Sequence, residues 1–125
     1  MGQPVVHFEV VGQDMKKLRG YYSDLFGWEF DSVPGGPTDY AVVPRDKNVT
    51  SNGVGIGGGV GSAPDGYDGH VTFYVEVPDV EAAMKKAEEL GGTRMMGPEE
   101  VTEGLEIALF QDPEGHTLGL VKSGQ

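Results

Sequence analysis

The chain repeats itself, and this limits what it can fold into more than any other feature. The stretch VVHFEVVGQDMKKLRGYYSDLFGWEF (5–30) aligns with DGHVTFYVEVPDVEAAMKKAEELGGTRM (68–95). His7 falls on His70, Asp14 on Asp79 and Gly27 on Gly91, at a spacing of about 64 residues. Each half reads strand, Asp cap, helix, Gly stop, strand. In the first strand Val6, Phe8 and Val10 share one face, and His7, Glu9 and Val11 the other. In its counterpart Val71, Phe73, Val75 and Val77 are expected to face the core, opposite His70, Thr72, Tyr74 and Glu76. Asp14 and Asp79 can accept the unpaired first-turn N–H groups of a helix. Leu18, Tyr22, Leu25 and Phe26 make the apolar stripe of the first helix, and Val80, Ala83, Met84, Ala87 and Leu90 that of the second. Gly27 and Gly91 stand where a left-handed C-terminal residue is wanted.

Shorter strands follow each helix. They are predicted at 28–31, 40–43 and 54–60 in the first half, and at 93–95, 105–111 and 116–121 in the second. PGGP and RDKNVTSNG are turns, and Asp112-Pro113-Glu114-Gly115 is a hairpin turn, with Pro at its second position and Gly where positive φ is tolerated. The result is an α+β domain of two tandem βαβββ modules, residues 1–61 and 70–125, joined by a linker at 62–69. A ferredoxin-like two-repeat domain would explain the helices but leave strands over.

Composition removes several functional classes. A length of 125 residues is one domain's worth, and no cysteine is present to form a disulfide or a thiolate nucleophile. A net charge of −11 repels phosphate backbones and anionic lipid, so neither nucleic acid nor a membrane surface is an expected partner. MGQPVVHFEV does not read as a signal peptide, no apolar run approaches the length of a membrane span, and the expected location is cytoplasmic. Asn48-Val49-Thr50 matches a glycosylation sequon that has no use there. GVGIGG (53–58) matches G-x-G-x-x-G in form only, because Ser62-Ala63-Pro64 follows instead of a helix whose N-terminus could hold a pyrophosphate. There is no G-x-S-x-G and no P-loop lysine.

The two βαβββ halves, YYSDLFGWEF at the end of the first helix, ELGG at the end of the second and DPEG before the last strand together resemble the vicinal oxygen chelate superfamily. Glyoxalase I, bleomycin-resistance proteins, extradiol dioxygenases and methylmalonyl-CoA epimerase belong to it. The resemblance covers nearly the whole chain. It implies a curled mixed sheet forming a cleft (the glyoxalase-like fold), a small organic ligand, frequent homodimers, and in many members a divalent metal held by the first and last strand of each module. His7 and His70 occupy two of the four ligand positions. The other two lack acids. Gly119 stands where metal-binding members usually have Glu, and VGIGGGV (54–60) carries no ligand at all.

The candidate ligand-binding residues are therefore His7, Glu9, His70, Thr72, Tyr74 and Gly119, with His7, Glu9 and His70 as candidate acid–base groups and His7 and His70 as an incomplete metal set. Glu9 could supply a third metal ligand, although same-face neighbours on a strand stand roughly 6–7 Å apart. Glycines on the cleft wall, Gly119 included, are expected to enlarge the cavity. Two functions remain open. One is a metal-free binder or enzyme for a small organic molecule, and the other a metal-dependent lyase or dioxygenase using His7 and His70 with a non-standard third ligand. His116, after the hairpin Gly, is read as structural. Most of the aromatics Trp28, Phe30, Tyr40, Tyr67, Tyr74 and Phe110 are expected in core or interface, those at a cleft could stack on a flat ligand, with Tyr74 the first cleft candidate, and Met95, Met96 and the segment 97–105 are either a flap or an ordinary solvent loop.

Overall fold

The computed structural model describes residues 2–32, 40–102 and 105–122. The chain divides into two compact units, His7–Val71 and Met1–Val6 with Thr72–Gln125. The linker residues thus fold with the first half, and the first six residues join the second, where the carbonyl of Pro4 accepts from the amide of Glu76 at 2.9 Å.

The first unit carries β1 (Val5–Gly12, with its first two residues in the other unit), α1 (Met15–Phe26), β2 (Asp31–Ser32), β3 (Tyr40–Val43) and β4 (Gly57–Ser62). The strand order is β2-β3-β4-β1, with β1 and β4 parallel and the other pairs antiparallel. Helix α1 starts because an Asp14 carboxylate oxygen accepts from the amide of Lys17 at 3.1 Å. It ends at Gly27, whose φ of 73° turns its N–H back to the Ser23 carbonyl. Met15, Ala41 and Val60 form the buried centre, with Val10, Leu18, Tyr22 and Phe30 packed on it. Trp28 belongs to a ring cluster rather than to β2, its centroid 5.1 Å from Phe8, 5.4 Å from Tyr22 and 5.1 Å from Phe26.

The second unit repeats this order with β5 (His70–Val77, its first two residues in the first unit), α2 (Val80–Glu89), β6 (Thr93–Thr102), β7 (Leu105–Gln111) and β8 (Thr117–Lys122). Its strand order is β5-β8-β7-β6, again with the first pair parallel. Asp79 caps α2 through the amide of Ala82 at 3.0 Å. Val77, Val80, Met84, Ala108 and Leu120 make the core.

Three expectations need correction. Residues 97–102 are strand rather than flap or loop, because β6 continues to Thr102 and pairs with β7, and residues 103 and 104 lie outside the described residues. β4 begins at Gly57 rather than Val54, and runs on to Ser62. On β5 the alternation holds, but burial reverses at its start. Thr72 and Tyr74 are 7% and 4% exposed, while Val71 and Phe73 are 78% and 39% exposed. Helix α2 packs on the Val75–Val77 end of that strand, so its first residues run past the helix that would have covered them. The PGGP turn (34–37) lies outside the described residues.

Candidate functional site

The first unit gathers the candidates on one face of β1 and β4. Glu9 lies opposite Gly59 and His7 opposite Gly57 in the parallel pair. Glycines at 57, 59 and 61 leave that face of β4 without side chains. Tyr40 enters from β3, on the other side of β4, where it lies opposite Gly61. Its ring crosses the glycine trough. A Cβ at Gly59 would stand 2.2 Å from both Cζ and Oη of Tyr40, so only glycine admits the ring. The glycine faces hold rings instead of empty room. Phe8 lies over Gly58 on the opposite face, and in the second unit Tyr74 lies over Gly119.

Across the trough runs a line of hydrogen bonds. The Tyr40 hydroxyl donates to Oε1 of Glu9 at 3.0 Å. Having given its proton there, its oxygen can only accept from Nε2 of His7, 2.9 Å away, which assigns His7 the Nε2–H tautomer. The other Glu9 oxygen lies 2.7 Å from Nε2 of His70 and accepts from it. Nδ1 of His70 then meets the hydroxyl of Tyr67. Protons thus point inward along both arms to one carboxylate, that of Glu9, which is 7% exposed. Burial pushes the His7 pKa below its ordinary value near 6.5, and the Glu9 charge only partly offsets this. Among the described residues no buried side-chain nitrogen or oxygen lacks a partner.

This arrangement does not fit a divalent metal. His70 Nε2 meets one Glu9 oxygen, and His7 Nε2 and the other Glu9 oxygen converge on the Tyr40 hydroxyl, so these donor atoms are already paired with protein groups. Among the described residues no group of three or more His, Asp or Glu side chains is gathered as metal binding requires.

The other candidates lie in the second unit. Thr72 donates through Oγ1 to the Thr117 carbonyl at 2.5 Å. Tyr74 and Gly119 are cross-strand partners on β5 and β8. His116 is exposed at the hairpin, where the Asp112 carboxylate accepts from its amide and from Nδ1. These bonds, the amide first, hold Asp112 below the usual carboxylate range. A groove of about 380 Å³ beside α2, lined by Ala83, Ala87, Leu90, Phe110 and Leu120, contains none of the candidate residues.

Tyr40 and Tyr67 join the hydrogen-bonded cluster, although the sequence placed neither among its candidate site residues. A signal for Tyr40 was present, since buried Ala41 and Val43 set the core face of β3 and leave Tyr40 on the other. Tyr67 sits in a loop, without periodicity to place it.

A family model described as a glyoxalase-like domain matches residues 7–121. The chain belongs to this glyoxalase-like family, within the vicinal oxygen chelate superfamily. Among curated proteins it is similar to the putative glyoxylase CFP32 of Mycobacterium bovis and of Mycobacterium tuberculosis, 30% identical over 109 residues in each case. That alignment covers 86% of this chain and 41% of either relative, so the chain spans under half their length. Among solved structures, a variant of Streptomyces coelicolor methylmalonyl-CoA epimerase in complex with 2-nitronate-propionyl-CoA matches with a TM-score of 0.64. It is 18% identical, with 98% of this chain and 99% of that one covered. A glyoxalase/bleomycin resistance protein/dioxygenase superfamily member from Vibrio splendidus 12B01 matches with a TM-score of 0.60 at 16% identity, covering 98% and 100% of the two chains. These structures establish the α+β glyoxalase-like fold. No described helix is long and apolar enough to cross a membrane.

Proposed function

We propose that the chain binds a small oxygenated organic molecule at the trough of the first unit and exchanges a proton with it through Glu9, without a metal in the route. The observation that carries this is the buried Glu9 carboxylate, which accepts from His70 on one oxygen and from Tyr40 on the other. A carboxylate so placed can take a proton from a carbon beside a carbonyl. Nε2–H of His70, which donates to the other Glu9 oxygen, can then turn to the substrate oxygen that becomes negative as the proton leaves. His7, whose pKa is lowered by burial, stays neutral near pH 7 and serves as an N–H donor to Tyr40 rather than as a second charge.

The test is deuterium uptake from solvent at the carbon next to the carbonyl in a panel of 2-keto and 2-hydroxyketo compounds. Uptake that survives chelator and disappears in Glu9→Gln supports the proposal. Uptake abolished by chelator, or unchanged in Glu9→Gln, contradicts it. A second reading, sequestration without turnover, is favoured by the full internal pairing of the cluster, and predicts binding without any deuterium uptake.

A further inference from the structure

We infer that the place now held by the Tyr40 ring is a ligand subsite for a hydroxy-aromatic compound, and that Tyr40 stands in for its ligand. The inference rests on the proposed small-molecule site and names its chemical class. The Tyr40 oxygen is held by an acceptor, Glu9 Oε1 at 3.0 Å, and a donor, His7 Nε2–H at 2.9 Å. A group at that point must both donate and accept. A hydroxyl does both, a carboxylate would meet the Glu9 charge, and an ammonium has nothing to offer the His7 N–H. The frame behind the hydroxyl is also specified. β4 shows backbone alone at 57, 59 and 61, a flat floor between β3 and β1, and a planar ring already lies across Gly59. Ring on backbone, with a hydroxyl at the ring edge pinned between carboxylate and imidazole, is the recognition pattern of a phenol. Tyr40 is the first residue of β3 and its side chain is only partly buried, so a rotation about its own side-chain bonds can clear the trough without unpairing the sheet.

The test titrates p-cresol, toluene and 4-methylbenzoate into the wild-type chain, Tyr40→Ala and Tyr40→Phe, read by calorimetry and by the histidine ring resonances. In Tyr40→Ala, p-cresol should bind at least about tenfold tighter than toluene, as expected for a hydroxyl that satisfies two partners. 4-Methylbenzoate should bind no better than toluene, and p-cresol should return the His7 resonances towards their wild-type positions. If Tyr40→Ala does not fold, Tyr40→Phe keeps the test alive, because there no internal hydroxyl competes for Glu9 and His7, and p-cresol should again bind at least about tenfold tighter than toluene. Equal binding of p-cresol and toluene, or preference for the benzoate, overturns the inference. If that happens while Glu9-dependent deuterium uptake persists, the phenol subsite falls and the acid–base site stands. A phenol preference without any uptake leaves the subsite standing and removes the acid–base role.

Discussion

Gly59→Ala should displace Tyr40 and destabilise the first unit. The new Cβ would stand 2.2 Å from Cζ and Oη of Tyr40 and 2.4 Å from Cε2, far inside van der Waals contact, so the ring must leave. Gly59 has no positive φ, so alanine fits the backbone and the cost is steric alone. Expulsion loses a hydrogen bond to a carboxylate, about 1.5–3 kcal/mol, and one to an imidazole, about 0.5–1.5 kcal/mol. Water reaching the vacated groups returns part of this, and alanine in a strand regains about 0.5–1 kcal/mol over glycine. The net loss is about 1–3 kcal/mol, equivalent to a fall in Tm of about 3–10 °C for a chain of this size. Thermal and urea unfolding of Gly59→Ala, Tyr40→Ala and the double variant would measure it. In the Tyr40→Ala background only the strand gain of about 0.5–1 kcal/mol is left, so Gly59→Ala should be mildly stabilising there, giving a coupling energy of about 1.5–4 kcal/mol. Gly59→Ala as stable as wild type, or an equal penalty in both backgrounds, would refute a trough that only glycine can form. Gly20→Ala is the control, since a Cβ there meets nothing within 4 Å in mid-helix, and it should raise stability by about 0.5–1 kcal/mol.

Further tests reach the rest of the molecule. Thr72→Val should cost about 1–3 kcal/mol in urea unfolding, because it leaves the Thr117 carbonyl without its buried donor. Met84→Ala, at a fully buried position of the second core, should cost about 2–5 kcal/mol. His7 has a folded pKa below its unfolded value near 6.5, so the unfolded chain takes up the proton first as pH falls. Its contribution is therefore intact above about pH 6.5 and lost as pH falls from there towards the folded value, and His7→Gln should flatten the stability profile in that window while leaving pH 8 to 9 unchanged in slope. Self-association is proposed from the exposed apolar residues Val71, Tyr21 and Leu25; sedimentation should show dimers that weaken in Val71→Lys, and a wild-type monomer at high concentration would end that proposal.

The repeat made the architecture legible. Histidines, caps and helix stops recur in step, and each half folds in the order strand, helix and three strands. β3 and β7 were legible to the residue because turn residues bound short apolar runs. β6 was read too short because Gly97 and Pro98 look like breakers, yet the strand passes through them with register shifts against β7. Periodicity put Val71 and Phe73 on the core-facing side of β5, but it carries no information on where a helix stops covering a strand. His7 and His70 were singled out by the repeat and the resemblance and Glu9 by strand parity with His7, and the three are brought together. What parity could not show is that glycines on β4 let a tyrosine cross from the next strand. Local pattern describes one strand's faces, and this contact depends on three strands in register.

The most direct test of a Glu9-centred, metal-free site is the protonation pattern of the two histidines. Long-range proton–nitrogen correlation on labelled protein, before and after one equivalent of Mn or Zn, reads both rings at once. Nε2–H is expected on His7 and His70 at pH 7.5 to 8, both rings altered in Glu9→Gln and neither altered by metal. Bare Nε2 atoms on both rings, or stoichiometric metal binding that shifts both, would contradict such a site.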